Sequence, residues 1–267
     1  MKNLTVLIGL IITTFTFAQT GGLTTIAKMH EDIEESSAIE MVSNSKLLWT
    51  LQDSGNDNVI YGLNKMGNII KTIEITNIKN RDWEELTSDK NGALYIGDFG
   101  NNARKRNKFS IYKVANINNE ETTAETIQFK LPRNIKSKDF EAFFLYENNF
   151  YIFSKERKEA IVVKVPNTPG LHTAMLVNSF KLKGKRTRVT AADISDDGKK
   201  IVLLGHNKIW LLSNFIKDNF FDGDRAVIDL GHKSQKEGIT FKDNNTLYIT
   251  DETKGKNYGN IYSFKLN

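Results

Sequence analysis

Two pairs of carboxylates set two residues apart, Asp82 with Glu84 and Asp139 with Glu141, stand immediately before hydrophobic runs. Side chains at i and i+2 of a strand point to one side, so both members of each pair would face the same neighbour. Glu35 and Glu237 precede comparable runs, while Asp53, Asp98, Lys155, His206 and Asp251 close later ones, and Asn101 and Asn102 follow Asp98. Crowded carboxylates repel one another, and they either take up protons or hold a cation between them. Oxygen donors without sulfur suit Ca²⁺ first and Mg²⁺ or Mn²⁺ next. The expectation is a divalent cation on Glu35, Asp82, Glu84, Asp139, Glu141 and Glu237, with Asp53, Asp98, Asn102 and Asp251 as a second ring. Another role stays open for each acid: accepting hydrogen bonds from backbone amides of the neighbouring unit, which would tie units together.

The elements that must position these residues recur. ESSAI (35–39), DWEEL (82–86), DFEAF (139–143), TAADI (190–194) and QKEGI (235–239) start 47, 57, 51 and 45 residues apart. Each leads through a polar turn, such as SDKNG or SDDGK, into a β-rich run, then a third run, and in four units a fourth. Turns of Asn, Asp and Gly between alternating runs are the chemistry of hairpins, so each unit reads as a four-stranded meander. The last unit stops after three strands at Asn267, and LTTIAKM (23–29) is a strand-like segment without a unit of its own. Together they predict an all-β, five-bladed β-propeller whose last blade is closed by the N-terminal strand. A β-sandwich is the alternative arrangement of the same strands.

Composition bounds the rest. The 267 residues are 39% apolar and contain only 3 Pro, enough for a sizeable core. There is no Cys, which excludes a disulfide framework, a thiol nucleophile and a Cys-ligated metal. Lys2, the apolar run from Leu4 to Ile12 and Thr16-Phe17-Ala18 read as a signal peptide over 1–18, with one domain over 19–267, exported to periplasm or medium. No run approaches the roughly 20 apolar residues of a membrane span. A monomer is expected.

At DWEELTSDKNGALYIGDFGNNARKR (82–106), preceded by LLWTLQDSGNDNVIYGLNKMGNI (47–69), the sequence resembles exported bacterial propellers related to the families called esterase-like activity of phytase and SdiA-regulated. Trp49, Asp53, Ser54, Gly55, Asp82, Trp83, Glu84, Asp98, Gly100, Asn102, Asp139, Phe140, Glu141, Ala142, Glu237, Gly238 and Ile239 stand at matching positions. The resemblance spans nearly the whole mature chain and implies a propeller with esterase or phosphatase chemistry. Asn101 stands where the family's pattern has Asp, and Ala192 where other blades offer Glu; both thin the acidic set.

The formal charge is +5, and the basic residues cluster in loops at the end where the inner strands begin: Arg104, Arg106, Arg133, Arg157, Arg186 and Arg188, with several lysines. A basic face around an acidic centre would draw an anionic small molecule or envelope polymer rather than nucleic acid. KLKGKRTR (181–188) by itself reads as a solvated loop rather than a polymer track. His206 on that face is a candidate base or ligand. Trp83 and Phe140 are expected to pack between blades. With no G-x-S-x-G, Walker or H-E-x-x-H motif, two functions stand side by side. One is a binding propeller; the other is a metal-dependent hydrolase of a phosphoester, ester or lactone.

Overall fold

The computed structural model describes residues 22–252 and 258–266. The expected signal peptide lies outside the described residues. Five antiparallel four-stranded meanders succeed one another along the chain. Their inner strands, which line the centre, are Glu40–Met41, Trp83–Ser88, Phe140–Tyr146, Ala191–Ile194 and Gln235–Asp243, and each packs against the inner strands beside it. The fifth blade takes its outer strand from the N-terminus: Thr24–Lys28 pairs antiparallel with Asn260–Lys265, Thr24 opposite Ser263 and Lys28 opposite Asn260. This closes the ring without an open inner edge, as the missing fourth run of the last unit required.

The core is also fivefold. One apolar cluster fills each boundary between blades: Trp49, Ile73 and Trp83 between the first and second, Phe109, Phe140 and Phe143 between the second and third. Phe153, Phe180 and Trp210 fill the third–fourth boundary, Leu204, Ile239 and Phe264 the fourth–fifth, and Met29, Ile39 and Ile261 the fifth–first. Trp83 and Phe140 are both fully buried in these clusters, as expected for packing residues. Aromatic and branched side chains on both faces of a strand suit this arrangement, since each sheet is covered by a sheet on either side.

Three connections between the third and fourth strands of a blade are straps. Glu121–Thr122, between the third and fourth strands of the second blade, pairs parallel with Ile69–Ile75 of the first. Gly170–Thr173 of the third blade does the same along Glu125–Lys130 of the second. In the fourth blade the strap is aromatic: Phe221 stacks on Phe180 at 4.2 Å, and Phe220 meets the Phe144 ring at 5.7 Å. Lys164 anchors the same segment through Asp218 at 2.9 Å. Three blades therefore each grip the one before.

The channel is laced by polar groups. Glu85 of the second blade reaches across it and accepts from the Ala192 amide of the fourth at 3.3 Å. Ser37 donates to the Trp83 carbonyl, and Thr190 to that of Lys236. No helix of the described residues is long and apolar enough to cross a membrane.

Candidate functional site

The inner strands begin at one face, and there the ladder holds a device that recurs. Trp83 pairs with Asp98 and Glu85 with Gly97, so Glu84 is an extra residue in a β-bulge. Glu141 is the extra residue between the pairs Phe140–Ser154 and Ala142–Phe153, and Glu237 between Lys236–Asp251 and Gly238–Thr250. A bulge re-aims one side chain without disturbing the pairing beyond it. Three glutamates are thereby turned at the channel mouth.

Register also corrects the expected second ring. Asp98 and Asp251 share their ladder position with Gln52 and Ser154, whereas Asp53, Lys155 and His206 come one residue later, with Phe99 and Glu252. One residue along a strand reverses the side chain's direction. Accordingly Asp98 and Asp251 are buried inside their blades. Asp98 accepts from Arg106 at 2.7 Å and from Tyr112, and Asp251 from Tyr262 and the Asn260 amide. Asn102 is exposed; its neighbour Asn101 organises the loop, accepting from the amides of Lys105 and Arg106 at 2.9 Å.

The fourth blade needs a second correction. Thr87 pairs with Tyr95 and Asp193 with Val202, at the same point of their ladders, so Thr190 rather than Ala192 takes the bulge-glutamate position, and Arg188 takes the position of Asp82. TAADI was two residues out of line with the other motifs: Thr190, whose amide donates to the Leu204 carbonyl at 2.9 Å, is the residue just before the Ala191–Leu204 pair. The funnel is therefore polarised. Asp53, Asp82 and Glu84 stand on the first two blades, and Lys155, Arg188 and His206 on the third and fourth, the third also carrying Asp139 and Glu141.

In the acidic half, Asp53, Asp82 and Glu84 each bring a carboxylate oxygen within 4.8 Å of the others. Three oxygens no more than 4.8 Å apart lie within about 2.8 Å of a common centre, a few tenths of an ångström beyond a Ca²⁺–oxygen bond of about 2.3–2.6 Å, so small side-chain shifts let one ion touch all three. Asn80 fixes the group: its amide donates to the carbonyls of Gln52 and Asp53 at 2.9 Å, and its oxygen accepts from the Trp83 amide. Gly100 is small for a reason, since a Cβ there would overlap the carboxylates of Glu84 and Asp82. Glu141 adjoins, and its charge is among the causes that raise Glu84. Its Oε2 meets the Lys155 ammonium at 2.8 Å, while its Oε1 is buried with no hydrogen-bond partner.

Burial raises all four acids above their ordinary range. Asp53 and Asp82 rise by burial first, then by carboxylate neighbours. Glu84 is pushed well up by burial, then by Glu141 and Asp53. Glu141 goes to about 8, through burial, although Lys155 pulls it back. Burial alone would lower Lys155, but Glu141, Glu237 and Glu84 outweigh it and raise it. An all-oxygen donor set, an orphaned buried oxygen and a glycine cradle fit a hard divalent cation.

The remaining expected ligands have other partners. Asp139 accepts from the Asn101 amide of the preceding blade at 2.8 Å, which is the blade-tying role left open above. Glu35 accepts from Asn56 at 3.0 Å. Glu237 lies 3.4 Å from His206 Nε2, in contact but without hydrogen-bond geometry. Among the arginines, Arg106 is buried and committed to Asp98 and to the carbonyls of Asp98 and Gly100, which removes it from any anion site. Arg104 is forked onto Glu156 at 2.6 and 3.0 Å. Arg157 and Arg188, with Lys155 and Lys158, line a depression of ≈ 390 Å³ that also holds Arg104, Glu156 and Glu159. Arg133 and Arg186 are exposed on loops outside that lining.

Residues 19–255 match the SdiA-regulated family. The chain belongs to that family. No curated protein sequence matches it. Among solved structures it is similar to the luciferin-regenerating enzyme, at 11% identity and TM-score 0.53 over 92% of this chain and 95% of that one. It is also similar to a gluconolactonase from Xanthomonas campestris, at 9% and 0.51 over 95% and 99%. A nidogen/laminin complex gives 11% and 0.54 over 86% and 84%. Identities this low establish a shared β-propeller fold alone, common to enzymes and to a nidogen/laminin complex alike.

Proposed function

We propose that this member of the SdiA-regulated family is an exported propeller that binds a divalent cation, Ca²⁺ before Mg²⁺ or Mn²⁺, in the acidic half of its funnel, and an anionic small molecule or envelope polymer in the basic half. The observation that carries the reading is the meeting of Asp53, Asp82 and Glu84 within 4.8 Å beside an unpartnered buried oxygen of Glu141. Like charges held this close cost free energy that a cation would offset. Arg157, Arg188 and Lys158, next to Lys155, offer the complementary charge to phosphate or carboxylate oxygens.

Thermal melts after chelation, repeated with Ca²⁺, Mg²⁺ and Mn²⁺, test the cation. A ligand at a hundred times its Kd adds about 2.7 kcal/mol of stability. The reading expects a rise with Ca²⁺ at the lowest concentration, and no rise with any of the three would refute it. For the anion, phosphorylated, carboxylated and neutral compounds are screened at two salt concentrations, and salt-sensitive binding of anions alone is expected. Following hydrolysis products in the same screen separates a binding propeller, which releases none, from a metal-dependent hydrolase of a phosphoester, ester or lactone.

A further inference from the structure

Lys155 belongs to both halves of the funnel. Its ammonium pairs with Glu141 at 2.8 Å, and its side chain lines the basic depression with Arg104, Arg157, Lys158 and Arg188. Glu141 is held on one side only, because its second oxygen is buried and has no partner. The ammonium is thus the counter-ion resident beside the carboxylates that would receive a divalent ion.

We propose that Lys155 is an exchangeable counter-ion that couples the two halves: a divalent cation taken up beside Glu84 and Glu141 displaces the ammonium into the basic depression, where it strengthens the anion site. This rests on the cation reading above. A doubly charged ion on Asp53, Asp82 and Glu84 repels the ammonium and competes for the Glu141 carboxylate that adjoins them. Lys155 can yield, since its charge sits on a flexible four-carbon stem and its side chain is 17% exposed at the depression. Arg104 cannot do the same, being fixed by two hydrogen bonds to Glu156. Displacement frees the ammonium from Glu141 and swings it into a pocket that holds Arg157 and Arg188 beside Glu156 and Glu159, so anion affinity rises when the cation is bound. Linkage makes the effect reciprocal: an anion must tighten the cation by the same factor.

Calorimetric titration of Ca²⁺ into the chelated mature protein, in chloride and in sulfate at equal ionic strength, tests this with sulfate as the probe anion. Wild type should bind Ca²⁺ several-fold more tightly in sulfate. Lys155→Met should bind Ca²⁺ more tightly than wild type in chloride, having lost the competitor, and should show no difference between the two salts. Lys155→Arg, which keeps the charge, should retain a sulfate response. Ca²⁺ binding by Lys155→Met with the wild-type Kd in chloride, or with the sulfate response intact, would overturn the coupling and leave the cation site standing. If neither wild type nor Lys155→Met binds Ca²⁺, the cation reading falls and the coupling with it.

Discussion

Asp53 of the first blade and Glu84 of the second hold carboxylate oxygens within 4.8 Å of each other across a blade boundary. Neutralising one acid should act in opposite directions with and without metal. Glu84→Gln is expected to leave the chelated protein as stable as wild type or more so, because a buried like-charge contact disappears. The same change should weaken Ca²⁺ binding by at least about tenfold, through loss of a charged ligand. Melts in chelator and in Ca²⁺ read both effects, and a variant that melts lower in chelator while binding Ca²⁺ normally would argue that Glu84 is purely structural.

Gly100 gives a steric version of the same test. The methyl of Gly100→Ala has to enter the space of the Glu84 and Asp82 carboxylates. Overpacking of this kind costs about 1–3 kcal/mol. The substitution should lower the melting temperature in chelator and abolish the response to Ca²⁺, and retention of the full Ca²⁺ response would show that the carboxylates can move aside.

The aromatic strap should matter as much as a core position. Phe220 is fully buried although its segment has almost no regular secondary structure, and it meets Phe144, Tyr151 and Phe215. Phe220→Ala is expected to cost about 3–5 kcal/mol in denaturant unfolding, as for other buried Phe truncations. A loss below about 1 kcal/mol would mean that the strap is dispensable to the third and fourth blades.

At the opposite mouth of the channel, Glu40 and Asp193 enter a cavity of ≈ 580 Å³ together with Asp196 and Asp197. Burial, then Asp193, raises Glu40 well above its ordinary range, and burial raises Asp193 to about 7. Glu85, buried nearby, is raised in the same sense. The folded protein therefore keeps protons that the unfolded chain releases above about pH 4. Stability from these groups is full below that range and is lost as pH rises towards 7 and beyond. Glu40→Gln should raise the melting temperature at pH 8 relative to wild type and change it little at pH 4.5, both in chelator. Equal changes at the two pH values would contradict this assignment.

Five units, their order and closure by the N-terminal strand were legible in the sequence because each blade repeats the same alternation and turn chemistry. The acidic character of the funnel was legible too. Two things were not. Aligning Asp53, Lys155 and His206 with Asp98 and Asp251 put groups from opposite faces of a strand into one ring; only the pairing partners, such as Trp83 with Asp98, fix which is which. Glu84, Glu141 and Glu237 occupy bulges, and in the fourth blade Thr190 stands at that position, a two-residue offset from the motif that brings Arg188 to the site. The straps leave no signature in the sequence, because pairings as short as Glu121–Thr122 carry no periodicity. Burial of Arg106 follows from the fold of the Asn101 loop over Asp98, a contact between side chains that spacing alone does not encode.

The central claim is that one divalent cation sits between the first and second blades. Anomalous scattering from crystals grown with Ca²⁺ measures it most directly. The account predicts a peak about 2.3–2.6 Å from oxygens of Asp53, Asp82 and Glu84. A well-diffracting crystal with no peak at those three carboxylates, or with its ion bound at Asp98 or Asp251 instead, would contradict it.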